Sequence, residues 1–212
     1  MVVGDMNYLD IMDYRHACKE FDDTKKISNE DIHTILEVAR KSPSSFGMEP
    51  WKFLVITNEK LKEQIRPLCW NQVQITSCSH LVIVLAKIQD VKPQSGIPLK
   101  RFSRREMPAE KLDFYIDLYS KHLNNTLSSS ENIYSWTSKQ TYLAVANMMS
   151  CAASLKIDSC PIEGFEKENL EELLELDTSK YQVSIVLPFG YRKNPQSKQL
   201  RLAFDEVVEF IN

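Results

Sequence analysis

Apolar positions along this chain recur with helical spacing in some stretches and as continuous buried runs in others. The longest run covers residues 143–155, thirteen positions broken only by Asn147, Ser150 and Ser154. A helix apolar nearly all round belongs inside a protein or between two of them. Thirteen residues also fall short of the roughly 20 needed to cross a bilayer. Ala144, Ala146, Ser150, Ala152 and Ala153 would let another helix backbone come close, so the run reads as a core or dimer-interface helix. Lys156-Ile157-Asp158 then connects it to an extended stretch, 159–162, which leads into Glu163-Gly164-Phe165. Gly164 marks either a plain turn or a close approach of backbone.

The other elements follow the same logic. Residues 7–14 suit a short helix. Ser28 is a good N-cap, with Asp31 three residues on, for a helix burying Ile32, Ile35, Leu36 and Ala39 and ending before Pro43. A breaker-rich loop follows, then a strand over 52–57. Asn58 caps a helix over 59–68, and a second helical piece covers 72–78. The β-branched run 81–86 reads as a fully buried central strand. Residues 87–108 read as a solvated loop with a basic cluster, followed by a helix to about 127. Residues 167–176 form an amphipathic helix and 181–190 a strand. The tail from 191 is polar and extended, closes with Arg201 and a short apolar segment at 207–211, and has no local core to join. It is therefore a candidate for packing on a partner subunit.

At 212 residues the chain suits one domain over 1–212 with a substantial core. Its 26 basic and 29 acidic residues give a net charge of -3, with no general pull toward nucleic acid or anionic membrane. The cluster Lys100, Arg101, Arg104 and Arg105 is the best nucleic-acid-like patch, but its only aromatic is Phe102, so no nucleic-acid partner is expected. The five cysteines lack any C-x-x-C pair or Cys/His spacing of the zinc kind, so no metal site is expected and reduced thiols in a cytoplasm fit best. Asp5 and Asp10 interrupt the apolar residues of the amino terminus, which supports neither a signal peptide nor a membrane anchor.

Two stretches carry candidate chemistry. Arg15-His16-Ala17-Cys18-Lys19 sets two cations four residues apart, and on extended backbone Arg15, Ala17 and Lys19 would share one side. That makes either a cradle for a phosphate and an electron-rich ring or an ordinary basic surface turn. The loop Ser42-Pro43-Ser44-Ser45-Phe46-Gly47-Met48-Glu49-Pro50-Trp51 is either a tight crossover or the lining of a pocket.

Taken together, these residues resemble the FMN-dependent nitroreductase family of NAD(P)H oxidoreductases, over nearly the whole chain. Arg15-His16-Ala17-Cys18-Lys19-Glu20-Phe21 resembles the family's R-H-S-x-K-x-F. Ser42-Pro43-Ser44-Ser45 with Pro50-Trp51 is similar to its S-P-S-S-x-N-x-Q-P-W, and Pro161-Ile162-Glu163-Gly164-Phe165 to its P-I-E-G-F. The resemblance implies a two-layer α+β homodimer whose mixed sheet is flanked by helices, with a long central interface helix and a carboxyl-terminal tail exchanged between subunits. It further implies FMN at the interface, NADH or NADPH as donor, and a small flat acceptor such as a nitroaromatic or quinone.

By the same resemblance Arg15 and Arg201 would hold the phosphate, within a segment that includes His16. Lys19 would sit by the N1 and C2 carbonyl edge of the ring. The backbone donors of Glu163 and Gly164, carried on Pro161 and Ile162, would face N5. Pro43, Ser44 and Ser45 would cover one edge from the other subunit, and Asn71 would bond the pyrimidine edge. Lys19, Glu163 and Gly164 are thus the candidate catalytic groups. The sequence departs from the family where Ala17 stands for a serine, Gly47 for an asparagine, Gln74 for a lysine and Gln199 for a lysine, with Lys198 as a partial substitute. These departures suit a loosely held flavin, and they keep open a flavin-binding or interaction protein with little turnover.

Overall fold

The computed structural model describes residues 7–211, so Asp5 lies outside the described residues. Its helices are α1 (Tyr8–Tyr14), α2 (Asn29–Arg40), α3 (Glu59–Leu68), α4 (Gln74–Ser77), α5 (Ile97–Ser103), α6 (Ala109–Thr126), α7 (Ser130–Ser154), α8 (Lys167–Leu173) and α9 (Phe204–Val207). Four strands, β1 (Trp51–Ile56), β2 (His80–Lys87), β3 (Asp158–Ser159) and β4 (Tyr181–Gly190), form one sheet in the order β1-β2-β4-β3. All three ladders are antiparallel. The mixed character expected of the sheet reduces, among the described residues, to one parallel bridge between Ala17 and Ser159.

Leu81 through Ala86 are all fully buried, because β2 projects apolar side chains from both faces and both must be covered. On one face Leu81, Ile83 and Leu85 pack with Ile65 of α3, Ile75 of α4 and Leu170 of α8. On the other, Val82 and Val84 pack with Ile35 and Ala39 of α2 and with Ala144, Val145 and Met148 of α7. The layers are therefore helix, sheet and helix rather than two. Caps fall where the sequence places them: the Ser28 hydroxyl accepts the Asp31 amide at 3.0 Å, and Asn58 accepts that of Leu61 at 3.1 Å.

Three features matter for the site, the first two of them differences from the sequence-based expectation. First, α7 runs for 25 residues and starts at a Ser129 cap, so the apolar run is only its second half. Ala144, Val145, Met148, Ala152 and Ala153 face the core, while Leu143 remains 45% exposed beside exposed Tyr142 and Ala146. Second, α5 forms inside the supposed loop. Gly96 takes a left-handed φ of 71°, Pro98 sits in the first turn, and Phe102 is buried in a third cluster with Met48 and Tyr119. Third, the tail beyond Gln199 is open. Leu200, Phe204, Phe210 and Ile211 are all more than two-thirds exposed or nearly so, an apolar load that this chain alone does not cover. No helix among the described residues is long and apolar enough to cross a membrane.

Candidate active site

The backbone turns extended at Arg15, the C-cap of α1, with φ −67° and ψ 122°. Alternation then follows from the extended geometry: Cys18 is buried, while Ala17 and Lys19 are exposed and Arg15 is half-buried on the same side. The Cys18 amide donates to the Ser159 carbonyl at 3.1 Å, which fastens this segment to β3. Behind it lies buried Asp158, whose carboxylate accepts the Arg192 amide at 2.8 Å and pairs with the Arg192 guanidinium at 2.6 Å. His16 Nδ1 is 3.6 Å from the same carboxylate. Burial, and then the charge of Arg192, holds the His16 imidazole below its ordinary pKa.

Lys19 and the P-I-E-G-F segment meet at Cys160. The Lys19 ammonium and the buried Gln74 amide each lie 3.8 Å from the Cys160 sulfur. Burial pushes that thiol's pKa up, while Lys19 pulls against it. Beyond Pro161, the Ile162 amide donates to Val186 of β4 at 2.8 Å, so the following residues are held to the sheet. Tyr142 of α7 donates its hydroxyl to the Glu163 carboxylate. Gln72 donates to the Gly164 carbonyl at 3.1 Å. A β-carbon on Gly164 would lie 2.5 Å from the Trp70 ring, so only glycine lets the indole lie there. No protein group among the described residues accepts from the Glu163 and Gly164 amides. Asn71 is exposed, at a left-handed φ of 56°. A cavity of about 260 Å³ opens beside His16, Ala17, Lys19, Val73 and Ser197.

The remaining candidates sit elsewhere. Ser44 accepts the Glu49 amide at 2.8 Å, the Ser45 amide donates to Gln140 of α7 at 2.8 Å, and Pro43 is exposed. Gly47 has φ 64°, a conformation that asparagine also tolerates, and Arg105 donates to the neighbouring Phe46 carbonyl at 2.7 Å. No hydrogen bond or ion pair among the described residues joins this loop to Arg15, Lys19 or Gly164. From the tail, Gln199 donates to the Met12, Asp13 and Arg15 carbonyls at 2.9, 2.9 and 2.8 Å. Lys198 is exposed, and among the described residues the Arg201 guanidinium donates only to the Leu200 carbonyl, at 2.7 Å.

The structure thus brings Arg15, His16, Ala17, Lys19, Gln74 and 161–164 together, with Gln199 tied to Arg15, and leaves Pro43, Ser44, Ser45 and Gly47 in a loop tied to α7 through the Ser45 amide. Sequence reasoning missed Trp70, Gln72, Tyr142 and Cys160. Their roles come from contacts across the fold, although a tryptophan beside the candidate Asn71 was a visible signal.

The model of the Nitroreductase family matches residues 12–191. Proteins of Staphylococcus haemolyticus and Haemophilus influenzae, both provisionally named NAD(P)H nitroreductases, are 39% and 40% identical, with 96% of each chain covered in both cases. Among solved structures, a nitroreductase-like protein of Streptococcus mutans shares the fold with a TM-score of 0.87 at 18% identity, over 97% of this chain and 98% of that one. A provisionally named nitroreductase of Exiguobacterium sibiricum, crystallised in complex with FMN, aligns with a TM-score of 0.82 at 25% identity over 97% of both chains. The motifs at 15–21, 42–51 and 161–165 all lie inside the matched span, which takes in most of the chain: the chain belongs to the nitroreductase family.

Proposed function

We propose that this nitroreductase is an FMN-dependent enzyme that passes hydride from NADH or NADPH to a small flat acceptor such as a nitroaromatic or quinone. The observation that carries this reading is that exposed Lys19 meets Cys160 at the head of the segment whose next amides, those of Glu163 and Gly164, have no acceptor among the described residues. That donor set suits the polar edge of a flavin, and the FMN complex of the Exiguobacterium relative supports the choice of ring. Bound FMN supplies the hydride-transfer chemistry, while the protein places and tunes it.

In this reading Lys19 holds positive charge at the N1 and C2 carbonyl edge, the Glu163 and Gly164 amides meet N5, and Asn71 meets the pyrimidine edge. Arg15 and Arg201 hold the phosphate, each with a planar fork suited to two oxygens. Pro43, Ser44, Ser45 and Gly47 close one edge from a second subunit, which accounts for their attachment to α7 rather than to Lys19 or Gly164. The exposed apolar side of α7 forms the interface. The tail crosses to the partner, where β1 offers an unpaired sheet edge and a groove of about 470 Å³ lined by Leu36, Trp51, Phe53 and Val55. Five free cysteines fit a cytoplasmic home.

One observation favours a second reading, a flavin-binding protein with little turnover: Ala17 offers no hydroxyl, and Gln199 is already committed to three backbone carbonyls. Turnover separates the two. Protein loaded with FMN is mixed anaerobically with NADH or NADPH in a stopped-flow cell, then with a quinone. The enzyme reading expects bleaching and recovery of the flavin, and parallel double-reciprocal lines, because one face serves both substrates in turn. Absence of bleaching with either nicotinamide would leave only the binding protein.

A further inference from the structure

The Glu163-Gly164 segment is held from three directions. From α7, the Tyr142 hydroxyl donates to the Glu163 carboxylate, a charge-assisted bond. From the segment before α4, Gln72 donates to the Gly164 carbonyl, and the orientation of Gln72 is itself set by the Gln74 amide, which donates to its side-chain oxygen at 2.8 Å. From the third side, the Trp70 ring lies against Gly164, and the Glu166 amide donates to Leu68 at 2.8 Å. Each brace meets a different atom: a carboxylate, a carbonyl, an α-carbon.

Tyr142 is the one brace of the three that comes from α7. An exposed glutamate at this position would ordinarily turn toward water. Its tie to a phenol on a 25-residue helix therefore fixes a charge as well as a backbone. Burial, and then the carboxylate itself, keeps the Tyr142 phenol protonated, so it remains the donor.

We propose that Tyr142 is a positioning residue: it anchors the Glu163 carboxylate to α7 and so, together with Gln72 and Trp70, fixes the Glu163 and Gly164 amides toward the flavin. The proposal rests on the reading that those amides meet the FMN ring. It places no group of Tyr142 on substrate. Without the anchor the carboxylate swings free, the 163–164 backbone samples several orientations, and donation to N5 weakens, at a cost to the oxidised ring, where N5 accepts, rather than to the reduced ring, where N5 carries a hydrogen.

The test compares purified wild-type protein with Tyr142→Phe, which keeps the ring and loses only the hydroxyl, each titrated with FMN and then poised against a reference dye. The expected Tyr142→Phe protein binds FMN within about threefold of wild type, because the phosphate grip lies elsewhere. Its equilibrium constant for two-electron reduction rises about tenfold, a shift of about 30 mV to more positive potential, and kcat falls with KM for the nicotinamide unchanged, because N5 is less polarised toward hydride. Glu163→Ala, at an exposed site, gives the same shift, and Tyr142→Phe made in that background adds nothing further, as expected of two residues acting as a unit. Equal potentials in wild type and Glu163→Ala, or additive shifts in the double variant, would overturn the role of Tyr142. Wild-type protein that takes up no FMN at any concentration would overturn the flavin reading itself, and the proposal with it.

Discussion

The ring side and the phosphate side of the proposed flavin site are built differently. On the ring side, Lys19, Gln74, Glu163 and Gly164 are each fixed by neighbours just after β3, just before α4 or on α7. On the phosphate side, Ala17 has no hydroxyl to give, Gln199 is spent on capping the carbonyl end of α1, and Arg201, among the described residues, bonds only to the residue before it. One half is braced within a single chain; the other draws on a tail whose apolar residues are exposed. In the proposed site, placement of the ring would thus depend on the fold, and retention of the phosphate on assembly.

Removing residues 200–212 should strike the weaker half hardest. The account expects loss of the dimer and roughly hundredfold weaker FMN binding, since Arg201 alone accounts for about 1.5–3 kcal/mol as a charged contact. Sedimentation velocity with flavin fluorescence titration checks both. A truncated protein that stays dimeric and binds FMN as before would erase the distinction between the halves.

Gly164→Ala attacks the built half. A β-carbon 2.5 Å from the Trp70 ring forces the indole or the peptide to move, at a cost of about 1–3 kcal/mol in stability. Thermal unfolding should show the loss, and hydride transfer should slow while affinity for the phosphate-bearing tail of FMN changes little. Ala17→Ser sharpens the comparison from the other side. A restored hydroxyl donor to a charged phosphate is worth about 1.5 kcal/mol, roughly tenfold in affinity. The gain should appear with FMN and be absent with riboflavin, which lacks the phosphate.

The smallest effect is on stability at mild acid. Burial holds both His16 and His80 below the ordinary 6.5, with Arg192 adding at His16 and Lys62 at His80. A histidine whose folded pKa is depressed binds its proton less well folded than unfolded. Its contribution is therefore present above about 6.5 and lost as pH falls through the folded value. The midpoint of thermal unfolding should decline below pH 6.5, and His16→Gln with His80→Gln should flatten that decline.

Much of this was legible in the sequence, for reasons particular residues make clear. The helix 59–68 carries its own Asn58 cap, and the strand 181–190 a largely apolar run that ends at Gly190, so local chemistry fixes their limits. The alternation of Arg15, Ala17 and Lys19 needed only the assumption of extended backbone. Residues 97–103 were not legible as a helix because Arg101 and Phe102 are drawn inward by Tyr119 and Met48 from distant parts of the chain. Likewise, Trp70 and Asn71 adopt consecutive left-handed conformations that no residue type there announces. Cys160 reaches Lys19 only through the pairing of Ala17 with Ser159, a contact 142 positions apart in sequence.

The claim at the centre of this account is that Lys19 holds its charge against a bound flavin ring, and the midpoint potential of Lys19→Met reads it most directly. A fixed cation stabilises the more negative, reduced ring more than the neutral oxidised one. A charged contact of about 1.5–3 kcal/mol corresponds to roughly 30–60 mV for a two-electron couple. Dye-coupled redox titration should therefore place the variant about 30–60 mV more negative than wild type, with FMN fully bound and the dimer intact. Equal potentials under those conditions would contradict the account and remove Lys19 from the site.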